Sequence, residues 1–394
     1  MELTRKQEQG LIVALYKYRN RDPYTTIGGY AGTGKSTLIQ FIIAALELRP
    51  DEVAYVAYTG KAAQVLRSKG CPNAITAHRL LYKSVQGRDG TFKHYPKKQL
   101  EGNYKLIVVD EVSMLPKKMW DLLLTHHIHV IACGDPAQLP PIDKDNDNHV
   151  LDNPDVFLDE IMRQAADNDI IRLSMDVREG NPIKVGKSQN ANIVRIDQLN
   201  DGMMMWADQI ICGKNATRNY LNAHYRELLW GENTSSVPIV GDKLICLKNN
   251  WDIVNEAGDA LVNGMTGELQ DIIIGSDDPW LGKMCFIYFK PDTIEEDEDI
   301  ATFQSLHIDW KLITTGVPTI TKENWKKLPL FIKKFPPEQF DYGYAITCWK
   351  GQGSEFPKVT FIAENVGPMS REDYKRYLYT GITRASEKLT LLIP

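Results

Sequence analysis

Short apolar runs alternate with helix-period stretches over the first 150 residues. Tyr24–Ile27, Val53–Ala57, Lys105–Val109 and His129–Cys133 read as buried strands. Between them, Thr37–Leu46 and Lys61–Ser68 carry helical spacing. Strand-helix alternation of this kind predicts a parallel sheet covered by helices. The pattern breaks between Leu81 and Gly102. There Gln86-Gly-Arg-Asp-Gly90 is a turn signal between short mixed runs, which predicts a β-hairpin over 82–102.

The Asp/Asn-rich stretch Asp143–Asn153 reads as the exit from a first domain, 1–152. A second αβ pattern follows, with helices at Asn168–Arg178 and Asn215–Trp230. Its strands are Ala207–Cys212, Lys243–Leu247, Lys358–Ile362 and Leu389–Ile393. It predicts a second domain from 153–264 plus 340–394. Residues 265–339 are instead β-rich, as in Gly267–Ile274 and Met284–Phe289, with an acidic run at Glu295–Asp299. They predict a small all-β insertion.

A chain of 394 residues suits two or three domains. Net charge is −5, so any polyanion-binding surface must be local. The stretch Gly60–Leu100 is the candidate: it holds nine Lys/Arg and one acid, Asp89. The six cysteines show no C-x₂₋₄-C spacing and read as reduced structural thiols. The polar start, Met1–Gln7, lacks the apolar core of a signal peptide. The expectation is a cytoplasmic protein of a bacterial cell or phage-infected host, with no membrane association.

The chemistry begins at Gly29-Tyr-Ala-Gly32-Thr33-Gly34-Lys35-Ser36-Thr37, between a strand and a helix. Glycines let backbone N–H groups close on phosphate oxygens, and the helix N-terminus adds partial positive charge. Lys35 can reach the outer phosphates, and Ser36 can ligate Mg²⁺. This predicts binding of a nucleoside triphosphate. Seventy-five residues beyond Lys35, another apolar strand ends in Asp110-Glu111. Asp110 is placed for Mg²⁺, and Glu111 for polarising an attacking water. A third strand runs into Gly134-Asp-Pro-Ala-Gln138, whose amide can bond a γ-phosphate or water. Arg163 and Arg384 lie far along the chain. An arginine finger contributes roughly 10³–10⁵ in phosphoryl-transfer rate.

Together these segments resemble superfamily 1 DNA helicases of the 5′-to-3′ class, the RecD-like and phage Dda-like enzymes. The resemblance covers most of the chain. It implies two RecA-like parallel-sheet P-loop domains, a β-hairpin pin insertion and a small SH3-like insertion. It implies that Gln7 reads the adenine edge and that Gly353 and Glu355 line the nucleotide. Thr59-Gly60-Lys61 and Thr76-Ala-His78-Arg79 resemble its first single-strand contacts. Asn263, and Thr347 and Lys350 within Tyr344–Phe356, match later ones. Arg163 and Arg384 match its motif arginines. The family carries His where this chain has Trp349, which could stack on a base or simply pack.

The function so implied is an ATP-dependent DNA helicase that uses Mg²⁺ and acts on single-stranded and forked duplex DNA. A monomer is expected, with a single-strand-binding or replication protein as a further partner in replication, recombination or repair. Stacking a base is worth about 1–3 kcal/mol, and opening one duplex step costs about 1.4 kcal/mol. One aromatic wedge can therefore offset a step. Phe92, near the tip of the predicted hairpin, is the expected strand-separating pin; the alternative is that it packs the hairpin onto its domain. Two functional alternatives stand beside the helicase: a translocase that does not unwind, and an ATP-dependent protein-binding switch.

Overall fold

A computed structural model describes residues 3–68, 70–71, 73–86, 92–140, 148–161, 168–256, 260–292 and 302–394. The chain forms two compact units. The first comprises Met1–Lys83, Pro96–Gly213 and Gly351–Pro394; the second comprises Ser84–Tyr95 and Lys214–Lys350.

The first unit contains two sheets. One is built from β1 (Tyr24–Gly29), β2 (Val53–Ala57), β3 (Ile75–Thr76), β6 (Leu106–Val109), β7 (His129–Gly134) and β8 (Val156–Leu158). Its order is β3-β2-β6-β7-β1-β8, with every pairing parallel. Successive residues of β6 point to opposite faces. Leu106 and Val108 join Ile27, Leu38, Ile42 and Ile131 on one side. Ile107 and Val109 join Val56, Trp120, Leu123 and Val130 on the other. Burial on both faces is why these strands read as unbroken apolar runs. The order sets β1 and β6 on either side of β7. All three segments that carry candidate chemistry therefore leave the sheet at one carboxyl edge.

The chain folds β4 (Tyr82–Gln86) against β5 (Phe92–Pro96), giving the hairpin its sequence predicts. Residues 87–91 at its tip, and the Phe92 side chain, lie outside the described residues.

The other sheet of this unit runs β11-β20-β21-β10-β9. These strands are β9 (Gly186–Lys187), β10 (Ala191–Arg195), β11 (Gln209–Cys212), β20 (Phe356–Ile362) and β21 (Ala385–Ile393). All pair in parallel except the edge strand β9. The helix Arg371–Ile382 lies close to β20, because a Cβ at Gly381 would come 2.3 Å from the Phe361 ring.

The second unit centres on an antiparallel sheet of order β17-β16-β15-β12-β18. It uses β12 (Lys243–Cys246), β15 (Thr266–Asp278), β16 (Gly282–Pro291), β17 (Phe303–His307) and β18 (Phe340–Tyr342). A short antiparallel ribbon pairs β13 (Asn250–Val254) with β14 (Ala260–Leu261), and β19 (Ala345–Thr347) follows β18 in sequence. The strands β12 and β18 carry the main sheet outside 265–339, since β12 pairs antiparallel with both β15 and β18. Its apolar face gathers Leu244, Leu269, Ile287, Phe289, Phe303 and Phe340. Asp242, fully buried just before β12, accepts from Arg226 Nε at 2.9 Å, Trp230 Nε1 at 3.0 Å and the Tyr344 hydroxyl at 2.8 Å. It also accepts from Ile239 N at 2.7 Å, so this buried carboxylate is saturated with donors. No described helix is long and apolar enough to cross a membrane.

Candidate active site

Beyond β1 the chain turns through Gly29–Ser36 into the helix Lys35–Ala45. Gly32 and Gly34 both sit at φ 76°, a left-handed conformation that a side chain would strain. Gly29 is required for space: a Cβ there would lie 2.9 Å from Thr33 Oγ1 and 3.1 Å from Leu158 O. Thr33 is buried, and its hydroxyl donates to Tyr30 O at 2.8 Å. Lys35 folds back over the loop, with Nζ donating to Gly29 O at 2.8 Å and Tyr30 O at 3.1 Å. Gly34 supplies no side-chain cap to the helix, so the amides of its first turn are available for an anion. Ser36 and Thr37 follow Lys35 in that turn.

Gln7 lies beneath this loop, 1% exposed. Its Nε2 donates to Thr33 O at 3.3 Å and Gly34 O at 3.2 Å, and its Oε1 accepts from Thr4 N at 2.9 Å. Thr4 and Gln7 form a capping box on the helix Arg5–Arg19. One side chain thus caps a helix and braces two glycine-loop carbonyls.

The acids stand at the end of β6. Asp110 Oδ1 accepts from Glu111 N at 3.0 Å and from the Cys133 thiol at 3.5 Å. Glu111 adopts a left-handed backbone, φ 49° and ψ 47°. Its Oε1 accepts from Gln138 Nε2 at 3.1 Å. Its Oε2 is buried and has no hydrogen-bond partner among the described residues. Burial, then the neighbouring Asp110 charge, pushes the Glu111 carboxyl up to about 6, against the pull of Arg384 and Lys35. Asp135, 1% exposed, is also pushed up by burial, while Lys35 and hydrogen bonds from Tyr379 and Ala137 N oppose the shift. The expected donors, the Ser36 hydroxyl and the Asp110 carboxylate, are all oxygen. No group of three or more His, Cys, Asp or Glu able to hold a metal occurs among the described residues. Such a set fits Mg²⁺, which takes one or two protein oxygens and completes its shell with water and phosphate.

Residues of the other sheet complete the surroundings. Arg384 is 4% exposed. Its Nε donates to Thr380 O at 3.0 Å, one terminal nitrogen to Ser354 O at 2.9 Å, and the other to Thr383 Oγ1 at 3.2 Å. Its charge still reaches Glu111 and Asp135 and draws both carboxyls down. Gly353, at φ 72°, backs onto Ala62, where a Cβ would lie 3.0 Å away. Glu355 is exposed. Arg163 lies outside the described residues.

Several groups at this site are absent from the residues singled out by sequence. Leu139 N donates to Thr380 Oγ1 at 2.9 Å, and Gln352 Nε2 donates to Leu139 O at 2.9 Å. The Tyr379 hydroxyl and Arg178 both meet the glycine loop. Gln352 lies within Tyr344–Phe356 and Tyr379 lies five residues before Arg384, but nothing local in the sequence marks what they touch.

The candidate DNA residues fall in both units. In the first, Thr59 Oγ1 accepts from Ala62 N at 3.2 Å and Lys61 is buried. His78 stacks on Tyr82 at 4.9 Å, and Arg79 O accepts from Lys97 Nζ at 3.0 Å. In the second, Lys350 Nζ donates to Asn263 Oδ1 at 2.7 Å, and burial lowers the Lys350 ammonium's pKa. Thr347 is buried and Trp349 half-buried.

An AAA domain family model matches residues 3–198, and a UvrD-like helicase C-terminal domain model matches 342–392. The chain is similar to the ATP-dependent DNA helicase PIF1 of Trypanosoma brucei brucei, 26% identical over 264 residues. That match covers 61% of this chain and 25% of the trypanosome protein. It is 27% identical over 191 residues to the ATP-dependent DNA helicase dda of Enterobacteria phage T4, covering 45% of this chain and 43% of that one. The chain thus spans less than half the length of these relatives. Among solved structures, the Candida albicans Pif1 helicase aligns over 100% of this chain and 94% of its own, with TM-score 0.53 and 17% identity. A Bacteroides Pif1 in complex with ADP-AlF3 and ssDNA aligns over 100% and 95%, with TM-score 0.52 and 18% identity. These likenesses establish two RecA-like sheets as the fold. Consecutive AAA and UvrD-like helicase C-terminal matches, with relatives named Pif1 and Dda, are consistent with a superfamily 1 helicase of the Pif1/RecD-like kind.

Proposed function

We propose that this protein is an ATP-dependent DNA helicase that moves 5′ to 3′ along single-stranded DNA and separates forked duplex. The observation that carries the chemistry is the Oε2 of Glu111, buried and without a partner among the described residues, on a carboxyl held near pH 6 beside the glycine loop. A carboxylate with one oxygen fixed by Gln138 and the other free is suited to take a proton from water. ATP would lie on the amides of Gly32–Thr37, with Lys35 released from its loop carbonyls onto the outer phosphates. Glu355 would contact the nucleotide, as would Gln7 once its amide exchanges a loop carbonyl for the adenine edge, and Gly353 would line the nucleotide through its backbone. Bound Mg²⁺, held by Ser36 and Asp110, would supply charge neutralisation at the phosphates. Arg384 and Arg163 would stabilise charge on the transferring group, which for Arg384 requires exchanging at least one carbonyl contact for phosphate.

Thr59, Lys61, His78 and Arg79, and in the second unit Asn263, Thr347, Trp349 and Lys350, are assigned to the DNA. Phe92 is assigned to the strand-separating pin. We read the antiparallel sheet of the second unit as the SH3-like insertion of the family. The polarity rests on the resemblance to the family alone, and the DNA substrate on relatives named as DNA helicases.

The deciding experiment is strand displacement from forks carrying a 5′ or a 3′ tail, with ATP and magnesium. Displacement only from the 5′-tailed fork is expected. DNA-stimulated hydrolysis without displacement would leave a translocase. Hydrolysis indifferent to any DNA would leave a protein-binding switch.

A further inference from the structure

The other sheet grips the glycine loop at one dipeptide, Tyr30-Ala31. The guanidinium carbon of Arg178, in the last turn of the helix Asp169–Glu179, lies 3.4 Å from the centroid of the Tyr30 ring. Tyr30 in turn packs edge-on against Phe157 at 4.9 Å. The Ala31 N–H donates to the Tyr379 hydroxyl at 2.9 Å, and that hydroxyl donates to Asp135. Tyr379 and Asp135 are each 1% exposed.

A phenol has one proton to give. Here it goes to the carboxylate while a lone pair takes the backbone N–H, so the polarity of the link is fixed. Asp135 also accepts from Ala137 N at 2.9 Å, which shapes the turn leading to Gln138. Gln138 then holds Glu111. One oxygen atom on the helix Arg371–Ile382 therefore joins the phosphate-binding loop to the segment that orients the expected general base.

We propose that Tyr379 is a positioning residue for nucleotide hydrolysis, its hydroxyl setting the register of the glycine loop against the Asp135–Gln138 turn and against the second sheet. This rests on the reading of the site as an ATP hydrolase. Displacement of Ala31 by an arriving or departing phosphate must move or break the Tyr379 contact, and the helix that carries Tyr379 also leads to Arg384. The same atom thus couples loop occupancy to the base on one side and to the expected arginine finger on the other.

The test is steady-state ATP hydrolysis by the full chain, saturated with single-stranded DNA, with magnesium in excess. Wild-type turnover that Lys35→Ala abolishes establishes the hydrolase reading first; wild-type protein without turnover sinks that reading and the proposal with it. Tyr379→Phe keeps the ring and removes only the oxygen. Its kcat is expected to fall about tenfold, the rate equivalent of one charge-assisted hydrogen bond. KM for ATP should change less than about twofold, as for an interaction that matters only in the transition state. A Tyr379→Phe change added to Asp135→Asn should cost nothing further. Wild-type kcat, a change in KM as large as the fall in kcat, or fully additive losses in the double variant each overturn the proposal. Should Tyr379→Phe fail to fold, Asp135→Asn alone carries the test: the same fall at constant KM is expected, and an unchanged kcat overturns it.

Discussion

Replacing Glu111 with Gln should stabilise the protein while stopping its chemistry. In the folded chain the Glu111 carboxyl titrates near 6 rather than at its ordinary 4.5, because burial and then Asp110 disfavour the anion. The folded state therefore binds this proton more tightly than the unfolded chain. Stability is highest below 4.5, is lost as pH rises toward 6, and stays lost above it. Moving the titration from 4.5 to about 6 corresponds to about 2 kcal/mol. At pH 8 the whole penalty applies; at pH 5, where the folded carboxyl is still mostly protonated, about 0.8 kcal/mol applies. In the Glu111→Gln variant the new side chain keeps an oxygen for the Gln138 amide and carries no charge, so it escapes the penalty at both pH values.

Urea unfolding of the two proteins at pH 5 and pH 8, followed by fluorescence of the first unit, measures the difference. The stability gap in favour of Glu111→Gln should widen by about 1 kcal/mol between the two pH values. A gap that is flat, or that narrows as pH rises, would refute the account of a desolvated anion. The rate consequence is separate. Hydrolysis by the variant should fall by about 10²–10⁴, the usual contribution of a positioned base, while ATP binding persists. For the wild type, kcat/KM should decline as pH drops through about 6.

Two further substitutions probe the second unit. Asp242→Ala leaves the Arg226 guanidinium, 4% exposed in its side chain, without its carboxylate, and removes the acceptor of Trp230 and Tyr344. A loss of about 3–5 kcal/mol is expected in chemical denaturation of that unit; a loss under about 1 kcal/mol would mean that Ser235 O and Val237 O suffice for the arginine. Lys350→Ala should weaken single-stranded DNA binding and reduce the slope of log affinity against log salt by about 0.7, as for one phosphate contact. An unchanged slope in fluorescence-anisotropy titrations would confine Lys350 to its bond with Asn263.

The glycine loop, Asp110-Glu111 and Gly134–Gln138 were legible because each is a short contiguous segment whose work depends on its own backbone. Three buried parallel strands deliver them, and unbroken apolar runs are a strong signal. The strand Val156–Leu158 escaped notice for the opposite reason. Three residues between Asp155 and Asp159 carry no periodicity, yet the strand pairs with the loop-bearing β1. The place of β12 was equally hidden: a four-residue apolar run does not say whether its neighbours will be parallel or antiparallel. Tyr379 and Thr380 could not be read at all as partners of the loop and turn. Tyr379 and Asp135 are 244 residues apart, and Thr380 and Leu139 are 241 apart. Only the folded chain brings them within hydrogen-bond distance.

The charge balance of the site yields one more expectation. Asp110, Glu111 and Asp135 face Lys35 and Arg384, so full ionisation leaves one negative charge in excess in a buried cluster. The raised Glu111 and Asp135 carboxyls are its response. A polyphosphate placed on the loop adds negative charge and draws Lys35 away from those carboxylates, so both carboxyls should rise further. ATP binding without a divalent cation should therefore be accompanied by proton uptake at about pH 6.5, just above the Glu111 titration. Excess magnesium, by neutralising the added charge, should shrink that uptake. Calorimetry in two buffers of different ionisation enthalpy counts the protons directly. In the Glu111→Gln variant the uptake should fall to the share carried by Asp135. Proton release on binding, or uptake indifferent to both magnesium and Glu111, would show that the excess charge is dissipated elsewhere.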